Sequence, residues 1–178
     1  MQLRPELRLR TAIEAMTHVV IPAIDPRESL AIEQAKLVVG MLSTSLDFLP
    51  LEFAFNRTEL TELVGTATDV ADEADSDDLQ TATAAATDVL DRAGADPSEL
   101  LDAIRRLRSA LASTVEQVCT DGSDAARRTV ADSVLRAAES ETLRTRTAYL
   151  GHGFEGPAPT LPPLAELLLA AQDQGSGR

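Results

Sequence analysis

One cysteine, no tryptophan, five aromatic residues and one lysine among sixteen basic side chains mark what this chain of 178 residues largely does without. The lone Cys119 cannot close an internal disulfide. No N-terminal segment couples a basic region to an apolar run. Together these predict a reducing, cytoplasmic setting. The longest apolar run, VVIPAI (19 to 24), is far too short to cross a bilayer, so no membrane span is expected. Strict alternation of apolar and polar residues is missing, and β-branched runs are short, which removes the usual strand signal. A formal charge of -13 repels phosphate backbones and anionic lipid, excluding duplex nucleic acid and membrane surfaces as default partners. The near-total use of Arg for positive charge, with Lys36 the exception, fits a genome rich in G and C.

What is present is helix-forming sequence with readable punctuation. Asp25-Pro26-Arg27-Glu28 and Asp96-Pro97-Ser98-Glu99 each offer a capping carboxylate, a proline at the first helical position and a Glu three residues after the cap; Asn56 with Glu59 repeats the spacing without proline. From these follow an all-α fold and a six-helix bundle, with helices near 4 to 23, 26 to 48, 57 to 74, 77 to 93, 97 to 119 and 124 to 150. Leu9, Ile13, Met16 and Val20 form one stripe on the first helix, and Leu100, Ile104, Leu107, Leu111 and Val118 another on the fifth. The second helix is apolar around most of its circumference and is expected at the centre of the bundle. Gly94 suits the cap of the fourth helix, and TDGSD separates the fifth from the sixth.

Residues 1 to 156 thus form the bundle. Residues 157 to 178 hold a proline-rich tether, a short helix LAELLLAAQ and a polar tail. That short helix must bury its leucines on its own bundle or on a neighbouring chain, so Leu164 to Leu169 are the expected contact with a second copy or a partner enzyme. The stretches 9 to 26 and 79 to 97 share Leu, Thr-Ala, Ala, Thr, Val, Ala and Asp-Pro after one insertion. A duplicated three-helix half is one explanation; chance in an Ala- and Thr-rich chain is the other.

Candidate chemistry is sparse. Gly151, Gly153 and Gly156 reproduce G-x-G-x-x-G, but they follow a helix and run into Pro157, whereas a phosphate loop lies between a strand and a helix; Gly151 reads as a helix cap. Phe48, Phe53 and Phe55 in one stretch, with Tyr149 and Phe154 in another, bracket a candidate pocket that carries His152 and, nearby, Arg144 and Arg146. The competing reading is an aromatic plug at the end of the bundle. Glu14 and His18, one helical turn apart, can act as acid and base or as a surface pair. A metal centre would need Glu-x-x-His on two helices, and Asp88 stands where a second His would be required, so no metal and no cofactor are expected. DVADEADSDD (69 to 78) lacks the order of a calcium loop and reads as a helix connector. Cys119, between Glu116 and Asp121, reads as a packed thiol. Arg105, Arg106 and Arg108, with Arg127 and Arg128, can form a local anion-binding patch; the competing and favoured reading is solvated helix surface paired to carboxylates.

Residues 7 to 42, with a first helix ending in VIPAID and a nearly all-apolar second helix, resemble the opening of small helical bacterial proteins of unknown function encoded beside aminoglycoside-phosphotransferase-like kinases and acyl-CoA dehydrogenases. The resemblance implies a cytoplasmic accessory protein in acyl-thioester or small-molecule metabolism and transfers no catalytic residue. Two functions follow from the sequence. One is a self-associating interaction or accessory protein, expected as a homodimer; the other is a small-molecule binder or cofactor-free enzyme in which His152 or His18 moves protons and Arg144 or Arg146 holds an anionic group.

Overall fold

A computed structural model describes residues 4–74, 76–92, 96–149 and 161–168. No strand occurs among them. The all-α expectation holds among the described residues, where the chain up to Tyr149 forms seven α-helices rather than six: α1 (Pro5–Ala15), a π turn (Met16–Val20), α2 (Ile21–Ala23), α3 (Ser29–Phe48), α4 (Glu52–Ala71), α5 (Asp77–Asp91), α6 (Pro97–Asp121) and α7 (Asp124–Tyr149). The chain divides into two compact units, residues 1–52 with 146–161 and residues 53–145 with 162–178. The domain boundary expected at 156 lies outside the described residues.

The larger unit is an up-down-up-down arrangement of α4 to α7. Its antiparallel neighbours are visible in the side chains that bridge them. The Arg57 guanidinium donates to the Leu90 carbonyl (2.8 Å), linking α4 to α5; Arg108 joins α6 to Glu59 of α4 and Glu141 of α7; Ser133 reaches Asp69 across α7 and α4. Inside lie Leu60, Ala67 and Val70 of α4, Leu79, Ala86 and Val89 of α5, Leu100, Ala103, Ile104, Leu107 and Val118 of α6, and Val130 of α7. The α6 stripe read from sequence is thus a core stripe, with Leu111 packed against it.

Caps explain the ends. The Asp96 carboxylate accepts from the Ser98 backbone N–H (2.8 Å) and hydroxyl (2.6 Å), Ser76 accepts from Leu79 N–H (3.3 Å), and Ser123 accepts from Ala126 N–H (3.1 Å). Gly122 ends α6 at a close approach: a Cβ there would lie 2.5 Å from the Val118 carbonyl oxygen. The Gly94 cap lies outside the described residues.

Several expectations need correction. Asp25 does not cap α3. It accepts from Arg27 N–H (3.0 Å), Glu28 N–H donates to the Asp25 carbonyl (2.8 Å), and this separate turn delays the helix to Ser29. Asn56 caps nothing either: α4 begins at Glu52, after the Pro50 turn in which Leu51 N–H donates to Phe48 C=O, and Asn56 lies buried inside the helix with its Nδ2 unpartnered among the described residues. Val20 is 42% exposed although it continues the Leu9, Ile13, Met16 stripe. The π turn is the reason. Ile21 N–H bonds to Met16 C=O, five residues back, so one extra residue enters the helix and half-buried Ile21 takes the inward register that Val20 would have held. Cys119 is exposed, beside buried Val118, and is not a packed thiol.

The largest correction concerns α3, expected at the centre of the bundle. Only Ala35 of α3 is buried, and Leu30, Leu37, Val38 and Met41 are exposed. The core of the larger unit closes without α3, because four antiparallel amphipathic helices already cover one another's apolar faces.

The Asp96 carboxyl is held below the ordinary aspartate value by the Ser98 hydroxyl and backbone hydrogen bonds. A depressed folded value means that its contribution is present above the unfolded pKa and is lost as pH falls through the folded one. Asp96→Ala is expected to lower the thermal midpoint at pH 7, with the gap to the parent narrowing in acid. Asp25→Ala, whose partner Arg27 starts no helix, is expected to shift it less.

Candidate functional site

The residues singled out from the sequence are divided between the two units. Glu14 and His18 do meet, Oε2 to Nε2 at 3.1 Å, but both side chains stand about seven-tenths exposed on the rod formed by α1 and the π turn. An acid–base pair in open water has no wall to hold a substrate or to exclude solvent. His152 and Phe154, like the three glycines of the G-x-G-x-x-G, lie outside the described residues. Tyr149 and Arg146 belong to the smaller unit, both exposed; Phe53, Phe55 and Arg144 belong to the larger.

Phe55 and Arg144 are brought together. The guanidinium carbon lies 5.3 Å from the centre of the Phe55 ring. Arg144 is 2% exposed and hydrogen-bonds through Nη1 to the Glu62 carboxylate, which also accepts from the Ser140 hydroxyl (2.9 Å). The cation is thus already neutralised, and it contributes to holding α7 against α4. Its Nε and the Thr58 hydroxyl are buried without partners among the described residues, as is the Thr147 hydroxyl.

This cluster is one step of a polar seam. Ser133, Arg136, Ser140 and Arg144 recur along α7 at spacings of three and four, and Asp69 and Glu62 answer them from α4: Arg136 Nη2 to Asp69 Oδ2 at 3.4 Å, Ser133 Oγ to the same oxygen at 3.4 Å. Beside it Arg108 reaches Glu141 (2.8 Å) and Glu59 (2.9 Å). Partial burial disfavours the Arg108 charge, but the hydrogen bonds to Glu141 and Glu59 outweigh this and raise its pKa above the ordinary value. Sequence reasoning missed Glu62, Ser140 and Glu141, and gave Glu59 the role of a capping partner and Asp69 that of a connector residue. Their signal is a stripe of acids on α4 facing a stripe of bases on α7, visible only once the two helices are known to be antiparallel neighbours.

The other arginines behave as expected of helix surface where pairs form, Arg105 with Asp102 (3.1 Å) and Arg127 with Asp124 (3.5 Å). Arg106 instead edges a shallow cleft of about 380 Å³ beside Ser76, Asp78, Ser109, Ser113 and Gln117. The acidic first turn of α5, Asp77 and Asp78, makes this cleft unwelcoming to anions. Among the described residues no group of three or more His, Cys, Asp or Glu side chains is placed to hold a metal ion.

The remaining candidate is a surface. On α3, Leu30 (69% exposed), Gln34, Leu37, Val38 and Met41 (58% exposed) lie along one side of the helix, an apolar stripe facing water in the single chain. No single helix of the described residues is long and apolar enough to cross a membrane. The Leu164–Leu169 contact expected from sequence presents less: residues 164–168 are helical, Leu168 is fully buried within its own chain, Leu164 and Leu167 are half-buried, and Leu169 lies outside the described residues. No protein-family model, curated protein or solved structure matches this chain.

Proposed function

We propose that this protein is a cytoplasmic interaction or accessory protein whose four-helix unit serves as a scaffold, and whose α1–α3 hairpin presents an apolar face for self-association or for docking on a partner enzyme. The observation that carries the reading is the α3 stripe. Leu30, Leu37, Val38 and Met41 are exposed, whereas the leucines of the core, Leu60, Leu79, Leu100 and Leu107, show no surface at all. Each large apolar side chain left partly in water forgoes part of the roughly 1.5–3 kcal/mol that full burial supplies, so a contiguous stripe of them reads as a surface meant to be covered. The alternative, an anion-holding pocket around Arg144, is less well supported, because Glu62 already satisfies that cation and Phe55 covers it.

A photo-crosslinking amino acid placed at Met41 tests this. Discrete adducts are expected from position 41 in cells and none from the exposed position of Arg128 on α7. Absence of adducts at 41, or the same pattern from both positions, would refute the reading.

A further inference from the structure

Resting on that reading, we infer that the occupant of the α3 face is a second copy of this chain, its α3 lying antiparallel across a two-fold axis. Leu30, Gln34, Leu37 and Met41 recur at spacings of four, three and four, the repeat that a helix offers to a helical neighbour. Run antiparallel, the stripe is complementary to itself in one register: Leu30 meets the other copy's Met41, and Gln34 meets its Leu37, layer by layer in both directions. The flanks agree with that register. Ala31 lies opposite Val38 on one side, and Gly40 lies beside Glu33 on the other. An added Cβ at Gly40 would meet nothing within 4 Å, so a second backbone has room to come close.

Charge supports a self-contact here more than elsewhere. Glu33 and Lys36 share one flank of α3, and an antiparallel pair faces each flank with its own copy, so Glu33 of each chain comes within reach of Lys36 of the other. Residues 1–52 carry five basic and seven acidic side chains, a net -2, whereas residues 53–178 carry -11. Two copies meeting through the hairpin therefore avoid most of the repulsion that would oppose contact through the acidic remainder. A hairpin alone cannot enclose a core, as the lack of any buried residue in α1 attests; two hairpins can close as a four-helix arrangement.

Sedimentation of the full chain across a wide concentration range tests the inference. A concentration-dependent dimer is expected. Leu37→Glu with Met41→Glu should give a monomer with an unchanged far-ultraviolet spectrum, since both side chains are exposed in the single chain. Lys36→Glu should weaken the dimer roughly tenfold by setting Glu33 against a second acid, and adding Glu33→Lys should restore it. A parent chain that stays monomeric throughout, or a dimer indifferent to the double glutamate change, overturns the assignment. If the monomer still forms adducts with another protein at position 41, the second copy alone is refuted and the interaction surface stands.

Discussion

Glu62→Ala is expected to destabilise the larger unit by about 3–5 kcal/mol, more than Arg144→Met, although the two residues form one ion pair. The asymmetry follows from exposure. The Arg144 side chain is 2% exposed and that of Glu62 is 31%. Removing Arg144 leaves a carboxylate that can turn partly to water and retains the Ser140 hydroxyl as donor. Removing Glu62 leaves a guanidinium that cannot shed its proton, with Nε already unpartnered among the described residues, confined between helices with the Phe55 ring over it. Arg144→Lys should not rescue, because an ammonium lacks the planar fork that lies over the ring. The double variant Glu62→Leu with Arg144→Met should recover much of the loss, since no charge is then stranded. Chemical denaturation of the four chains checks this. Equal losses for the two single changes would mean that Arg144 finds water or another acid, and that the seam is not the reason α7 holds its place on α4.

How much of this was legible beforehand depends on the kind of fact. The α6 stripe could be read because Leu100, Ile104, Leu107 and Val118 keep a 3.6-residue period over an unbroken helix started by a true Asp96 cap. The first stripe failed at Val20 for the same reason that the other succeeded: periodicity assumes regular winding, and the π turn at Met16–Val20 inserts a residue that no pattern of hydrophobicity announces. Asn56 with Glu59 has the spacing of a capping box, yet the helix had already begun at Glu52, so local chemistry named a cap where the chain needed none. Apolar character around α3 suggests centrality, but burial is a property of neighbours, and α4 to α7 supply each other's. Phe55 and Arg144 are readable as neighbours in one candidate pocket, and they do touch; what closes on Arg144 is Glu62, 82 residues away from it in the chain and legible only after the topology.

The same division of the core yields the second large effect. Leu107, with no exposed surface, faces the centre of the four-helix unit from α6; Leu107→Ala is expected to cost about 3–4 kcal/mol through lost apolar burial and the cavity left behind. Leu60→Ala on α4 should cost a similar amount, and because both residues belong to one cluster the double variant need not be additive. On α3 the same chemical change has a different consequence. Leu37→Ala, measured at a protein concentration low enough to keep the chain monomeric, is expected to alter stability by less than about 0.5 kcal/mol, since an exposed side chain loses little by truncation. Raising the concentration should open a gap between Leu37→Ala and the parent while leaving the loss in Leu107→Ala where it was, because only the parent gains from association. A large loss for Leu37→Ala in the dilute monomer would place α3 inside the core of its own chain and remove the surface on which self-association depends.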